Sequence, residues 1–131
     1  MIAVDTNVLL RLLVGDDPSQ AAKARRLFDR ADAQQKAVWV ADTVLVEMVW
    51  TLARAYRRER TDIVKALRTL SSHATVVLES AAVVGHAIDA FERGRADFAD
   101  CLLSMKAQSA GCDEVATFDR GMKGLPAVRL L

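Results

Sequence analysis

The chain alternates short apolar runs with longer segments in which apolar residues recur every three or four positions, the pattern of buried strands separated by amphipathic helices. Ile2-Ala3-Val4 is too short for a helix and stops on Asp5-Thr6-Asn7. It predicts a strand that delivers Asp5 to the end of a parallel sheet, where open α/β folds keep their sites. Val8 to Val14, interrupted by Arg11, predicts a short helix capped by Thr6 or Asn7 and ended by Gly15. Asp17-Pro18 is a helix start, with Asp as N-cap and Pro in the first turn, and Ala21, Ala24, Leu27, Phe28 and Ala31 keep helical spacing over 18–34.

Ala37 to Val40 predicts a second strand. The helix after it is capped by Asp42 or Thr43, turns Val46, Val49, Trp50 and Ala53 inward, and carries Glu47 as a lone charge in an apolar first half. Thr61-Asp62 opens a further helix with Ile63, Ala66, Leu67 and Leu70 facing the core. Thr75 to Leu78 is a third strand, and Ser80 starts a helix through Phe91 with Gly94 as its stop. Ala96-Asp97-Phe98-Ala99-Asp100-Cys101-Leu102-Leu103 opens a helix that runs to Gly111. Glu114 to Phe118 is a fourth strand with Asp119 at its carboxyl end, and Val128 to Leu131 forms a last edge strand. This order implies an α/β fold: a three-layer α/β/α sandwich with a central parallel sheet of four to five strands and right-handed crossovers. No linker or repeat interrupts it, so residues 1–131 read as a single domain.

Composition narrows the partners. With 18 Lys and Arg against 17 Asp and Glu the net charge is +1, so attraction to nucleic acid must be local. The basic concentration is Arg54, Arg57, Arg58 and Arg60, continued by Lys65 and Arg68. A solvated helix surface explains it most simply, and RNA-backbone contact through Arg54, Arg57 and Arg58 is the functional alternative. Cys101 and Cys112 have no zinc spacing and are expected as buried thiols. The sequence contains neither a basic leader nor an apolar run long enough to span a membrane, and the expectation is a cytoplasmic protein with no membrane partner.

The chemistry lies in acids. Asp5 and Asp119 end strands read as buried, while Glu47 and Asp100 sit early in helices. In a parallel sheet these positions share one rim. Carboxylates held close repel and raise one another's pKa values, so they persist as anions only with a cation, and an all-oxygen set suits Mg2+, with Mn2+ as a substitute. Such an ion supports phosphodiester hydrolysis without a histidine base. His73 and His86 are isolated and receive no chemistry. Each acid also has a structural role open to it: Asp5, Asp119 and Asp97 as caps, Asp100 as an acid favoured by a helix dipole. Asp97 shares a helix face with Asp100 and can serve as an auxiliary ligand. Thr6, Asn7 and Thr117 are polar neighbours able to orient a carboxylate.

In order and spacing, Ile2 to Asn7, the helix of Glu47, Ala96 to Leu103 and Ala116-Thr117-Phe118-Asp119 resemble the PIN domain, and specifically the VapC toxins of bacterial toxin-antitoxin pairs. The resemblance implies a Mg2+-dependent endoribonuclease that cuts transfer RNA or ribosomal RNA, is neutralised by a cognate VapB antitoxin and is usually a homodimer. It assigns Asp5, Glu47, Asp100 and Asp119 to an acidic quartet, with Asp5 and Asp100 as direct metal ligands. Asp97 matches an extra acid, and Cys101 departs from the alanine more usual there. A receiver-like signalling domain would need paired acids at the first strand and a closing lysine at the last, whereas Asp5 stands alone and Lys123 follows a loop with glycines. A haloacid-dehalogenase-type phosphatase would want an acid where Asn7 stands. A noncatalytic RNA- or protein-binding module, with the acids as caps, is the remaining alternative.

Overall fold

The apolar opening residues form β1 (Ile2–Ala3), and Asp5 turns the chain into α1 (Thr6–Val14). The structure, a computed structural model, describes residues 1–131. The cap is Asp5 rather than Thr6 or Asn7: its backbone is extended and its side chain accepts the Val8 N–H, while Thr6 is already helical and buried. Gly15 ends α1 with φ of +68°, a left-handed position that suits glycine. In α2 (Pro18–Ala33) Asp17 accepts from Gln20 N–H and Pro18 fills the first turn, as predicted.

β2 (Val38–Val40) leads into α3 (Asp42–Arg54), α4 (Arg60–Ser72) and β3 (Val76–Leu78). β2 lies between β1 and β3, with both pairings parallel; Ile2 opposes Val38, and Val38 opposes Val76. Ala41 is the N-cap residue of α3, with Asp42 as the first helical residue, so neither Asp42 nor Thr43 is the cap. The inward stripe of α3 is Leu45, Met48, Val49 and Leu52, one position round from the expected one. Val46 is half-buried, and Trp50 and Ala53 are exposed. On α4 the buried stripe is Ile63, Val64, Leu67 and Leu70, with Val64 in the place given to Ala66.

The chain forms two compact units, Met1–Glu79 and Ser80–Leu131. In the second, α5 (Ala81–Arg93) packs on α6 (Phe98–Ser109), and Phe91 meets Phe98 edge to face at 5.9 Å. Ser80 occupies the N-cap position of α5 without a side-chain capping bond, and Gly94 closes the helix. β4 (Val115–Thr117) and β5 (Val128–Leu130) pair in parallel. The five strands thus form parallel ladders of three and two, rather than one ladder of four to five. β4 was read as a buried strand, yet Ala116 and Phe118 are exposed, so its faces alternate. The α/β class, with six helices and parallel pairing throughout, stands as read from the sequence. Cys101 is buried as expected, while Cys112 is exposed because it follows the end of α6.

Candidate metal-binding carboxylates

In the first unit, parallel pairing brings the carboxyl ends of β1, β2 and β3 to one rim. An acid stands one or two residues beyond each: Asp5, Asp42 and Glu79. Asp5 is exposed, and its Oδ1 accepts the Val8 N–H at 3.2 Å, so one oxygen serves the helix. Glu79 accepts the Asp42 backbone N–H at 3.1 Å and thereby ties the start of α3 to the end of β3. Asp42 and Glu79 are rim acids that the sequence reading passed over. Their signal was the same as for Asp5, an acid directly following an apolar run. Glu47 lies in the second turn of α3 and is exposed. Thr6 is buried beneath this rim, and Asn7 is exposed on the first turn of α1.

The second unit gathers its acids more closely. Asp97 is the N-cap residue of α6, but its carboxylate makes no capping bond. Asp100, in the first turn, is half-buried, and its carboxyl is pushed above the ordinary value by burial, then by Asp119, then by Asp97. Asp100 at the start of α6 therefore senses the charge of Asp97 beside it and of Asp119 after the end of β4. Asp119 is fixed from two sides: its Oδ1 accepts the Gly121 N–H at 2.7 Å, and its own N–H donates to Thr117 Oγ1 at 3.0 Å. The hydroxyl of Thr117 thus holds the turn that presents the acid. Gly121 is a third residue, after Asp42 and Glu79, whose part the sequence did not disclose. A Cβ there would lie 3.0 Å from Asp119 Oδ1, so any side chain would push on the carboxylate.

A carboxyl pushed up by burial and by two neighbouring acids is one that a divalent cation would favour as the anion, and the hard oxygen donors of the second unit fit such an ion. They form an acidic neighbourhood and not a closed cage, for no three Asp, Glu, His or Cys side chains converge at ligating spacing. Arg54, Arg57 and Arg58 are exposed around the end of α3. No helix is long and apolar enough to cross a membrane.

An α/β chain that follows strand ends with acids and gathers carboxylates at one helix start points to a class, and comparison with known families supplies it. The PIN domain matches residues 2–127, and the chain belongs to the PIN domain family. It is similar to a VapC ribonuclease of Aquifex aeolicus (strain VF5), with 30% identity over 125 residues covering 95% of this chain and 92% of that protein. The VapC resemblance carried by the motifs at Asp5, Glu47, Asp97–Asp100 and Asp119 is thereby supported along nearly the whole chain.

Proposed function

We propose that the protein is a metal-dependent endoribonuclease of the VapC type whose catalytic acids are Asp5, Glu47, Asp100 and Asp119. The observation that carries this reading is the half-buried Asp100 carboxyl, pushed up by burial and by the charges of Asp119 and Asp97, an arrangement that capping does not require and that a cation would relieve. The family match and the VapC ribonuclease relative supply the substrate class, RNA. Since the match crosses both units, we take residues 1–131 as one PIN domain.

Asp5 and Asp100 would bind Mg2+ directly, or Mn2+ in its place, with Glu47 and Asp119 completing the set and Asp97 in support. A bound divalent cation supplies positive charge that activates water and offsets the charge developing on the phosphodiester. The chain's own residues position the acids. Val8 N–H orients one Asp5 oxygen, Gly121 N–H and Thr117 Oγ1 set the Asp119 turn, and the first turn of α6 holds Asp100 half-buried. Thr6 and Asn7 shape the surroundings of Asp5. Arg54, Arg57 and Arg58 are RNA-backbone contacts in this reading. A cytoplasmic location, transfer RNA or ribosomal RNA as substrate, a homodimer and neutralisation by a VapB-like antitoxin complete it.

The test is cleavage of transfer RNA and of ribosomal RNA fragments by the purified protein, with Mg2+ or with chelator. We expect Mg2+-dependent cleavage that falls about 100-fold or more in Asp100→Asn and Glu47→Gln, each of which removes an anionic ligand and little volume. Folded variants that cut as well as the parent would leave the acids as caps and favour a noncatalytic binding module.

A further inference from the structure

The turn from α5 to α6 and the loop after the 3-10 turn at Arg120–Met122 enclose a concave pocket of about 300 Å3 in the second unit. Its charged side chains are Arg93, Arg95 and Lys123, and no carboxylate lines it. In a chain whose net charge is only +1, three cations around one cavity are a local excess. Arg93 and Lys123 are exposed at its mouth, and neither is in an ion pair.

The pocket's walls are fixed. The fully buried Ser104 on α6 donates its hydroxyl to Pro126 O at 2.9 Å, pinning the loop that carries Lys123. Leu125 N–H donates to Met122 O, and buried Met122 anchors the other end of that loop. On the opposite wall the Gly94 N–H donates to Ala90 O, which fixes where Arg93 and Arg95 leave the helix.

The pocket is also joined to the acids by short stretches of chain. Arg95 lies two residues before Asp97, and Lys123 lies four after Asp119. Met105, on the pocket wall, is five residues along α6 from Asp100, or about 7.5 Å of helix rise. Such a spacing suits a phosphate of the same strand near the one being cut, not the cut phosphate itself.

We propose that Arg93, Arg95 and Lys123 form a phosphate-binding pocket that holds the RNA strand beside the acidic residues of the second unit. Arginine forks and a lysine point charge are the side chains that bind phosphodiester oxygens, and they do so without reading bases. The pocket therefore sets register and affinity and leaves sequence choice to other surfaces. This inference rests on the ribonuclease reading.

The test measures binding of a fluorescein-labelled single-stranded RNA 20-mer by the whole chain in chelator, where the strand is not cut, over a range of salt. In the Arg93→Gln, Lys123→Gln double variant we expect at least a tenfold weaker Kd. The slope of log Kd against log salt should fall by about 1.4, or about 0.7 for each lost phosphate contact. Arg30→Gln, an exposed arginine on α2, is the control for charge alone and should leave both values near those of the parent. A parent that binds and cuts RNA while the double variant keeps its affinity and slope overturns the pocket alone. A parent that neither binds nor cuts RNA overturns the ribonuclease reading and the pocket together. Two competitors separate other occupants: full displacement of the RNA by inorganic phosphate at 10-fold molar excess, or by polyglutamate at equal charge, would also overturn the assignment.

Discussion

At the end of β1 in the first unit, Asp5 is engaged with backbone, as one of its oxygens accepts the Val8 N–H and caps α1. At the start of α6 in the second unit, Asp97 stands at the same kind of position without a capping bond, and Asp100 beside it is half-buried against like charges. Both are acids at a helix start, where the dipole favours an anion. The difference is that one Asp5 oxygen already has a backbone donor, so local structure accounts for part of that carboxylate, whereas capping accounts for neither Asp97 nor Asp100. A half-buried carboxylate set against two others is the kind of group a cation relieves.

The largest effects should separate activity from fold in the second unit. Asp119→Asn keeps an oxygen to accept the Gly121 N–H, so its unfolding midpoint should stay near the parent's while RNA cleavage falls about 100-fold. Gly121→Ala leaves every carboxylate in place but crowds Asp119 Oδ1, and cleavage should fall about tenfold in kcat/KM. Equal activity in Gly121→Ala would show that the position of Asp119 is not critical.

In the first unit the same kind of substitution should act on stability. Asp5→Ala removes the α1 cap and should cost about 1 kcal/mol in urea unfolding, whereas Asp5→Asn, a comparable cap, should cost little. Both should lose cleavage if Asp5 also holds the ion. A fully active Asp5→Asn would leave this carboxylate with its capping role alone.

A smaller and opposite effect is expected at Asp100. Its carboxyl titrates above the ordinary value because of burial, Asp119 and Asp97, so the folded chain holds that proton more tightly than the unfolded chain. Without metal, stability therefore falls as pH rises from the ordinary carboxylate value through the raised one, and stays lower above it. Asp100→Asn removes this loss. In chelator it should melt higher than the parent at neutral pH, with the difference closing below about pH 4. A variant less stable than the parent at every pH would mean that the Asp100 carboxylate supports the fold.

The contrast between the units also shows what could be read beforehand. The order of strands and helices was legible because short apolar runs and periodic segments differ in length and spacing, and Asp17-Pro18 marked α2 outright. The α1 cap was left among Asp5, Thr6 and Asn7 because all three are capping residues, and only the backbone shows which is extended. The α3 stripe was misplaced because nearly every residue of its first half is apolar, so the period has no unique phase; the structure chose Leu45, Met48, Val49 and Leu52 and left Trp50 in solvent. The division into two ladders is a matter of backbone pairing, which the apolar letters of β4 do not disclose.

For the site, Asp97 and Asp100 were legible as a pair from their spacing on one helix. The meeting of Asp119 with Asp100 followed only from a shared sheet rim, and in the fold Asp119 acts on the Asp100 carboxyl. Gly121 was missed because a glycine in a loop has many explanations, and its contact with Asp119 singles out one. The cations Arg93, Arg95 and Lys123 were missed because two loops far apart in sequence bring them together, whereas Arg54, Arg57 and Arg58 drew notice by adjacency alone.

The central claim is that the carboxylates of the second unit are arranged for a divalent cation. It is tested most directly by thermal unfolding of the parent and of Asp100→Asn, each with and without Mg2+, since an ion bound to the folded chain raises its melting temperature. The account predicts a rise with Mg2+ in the parent that is absent or much reduced in Asp100→Asn. The same rise in both proteins, or none in the parent at millimolar Mg2+, would contradict it.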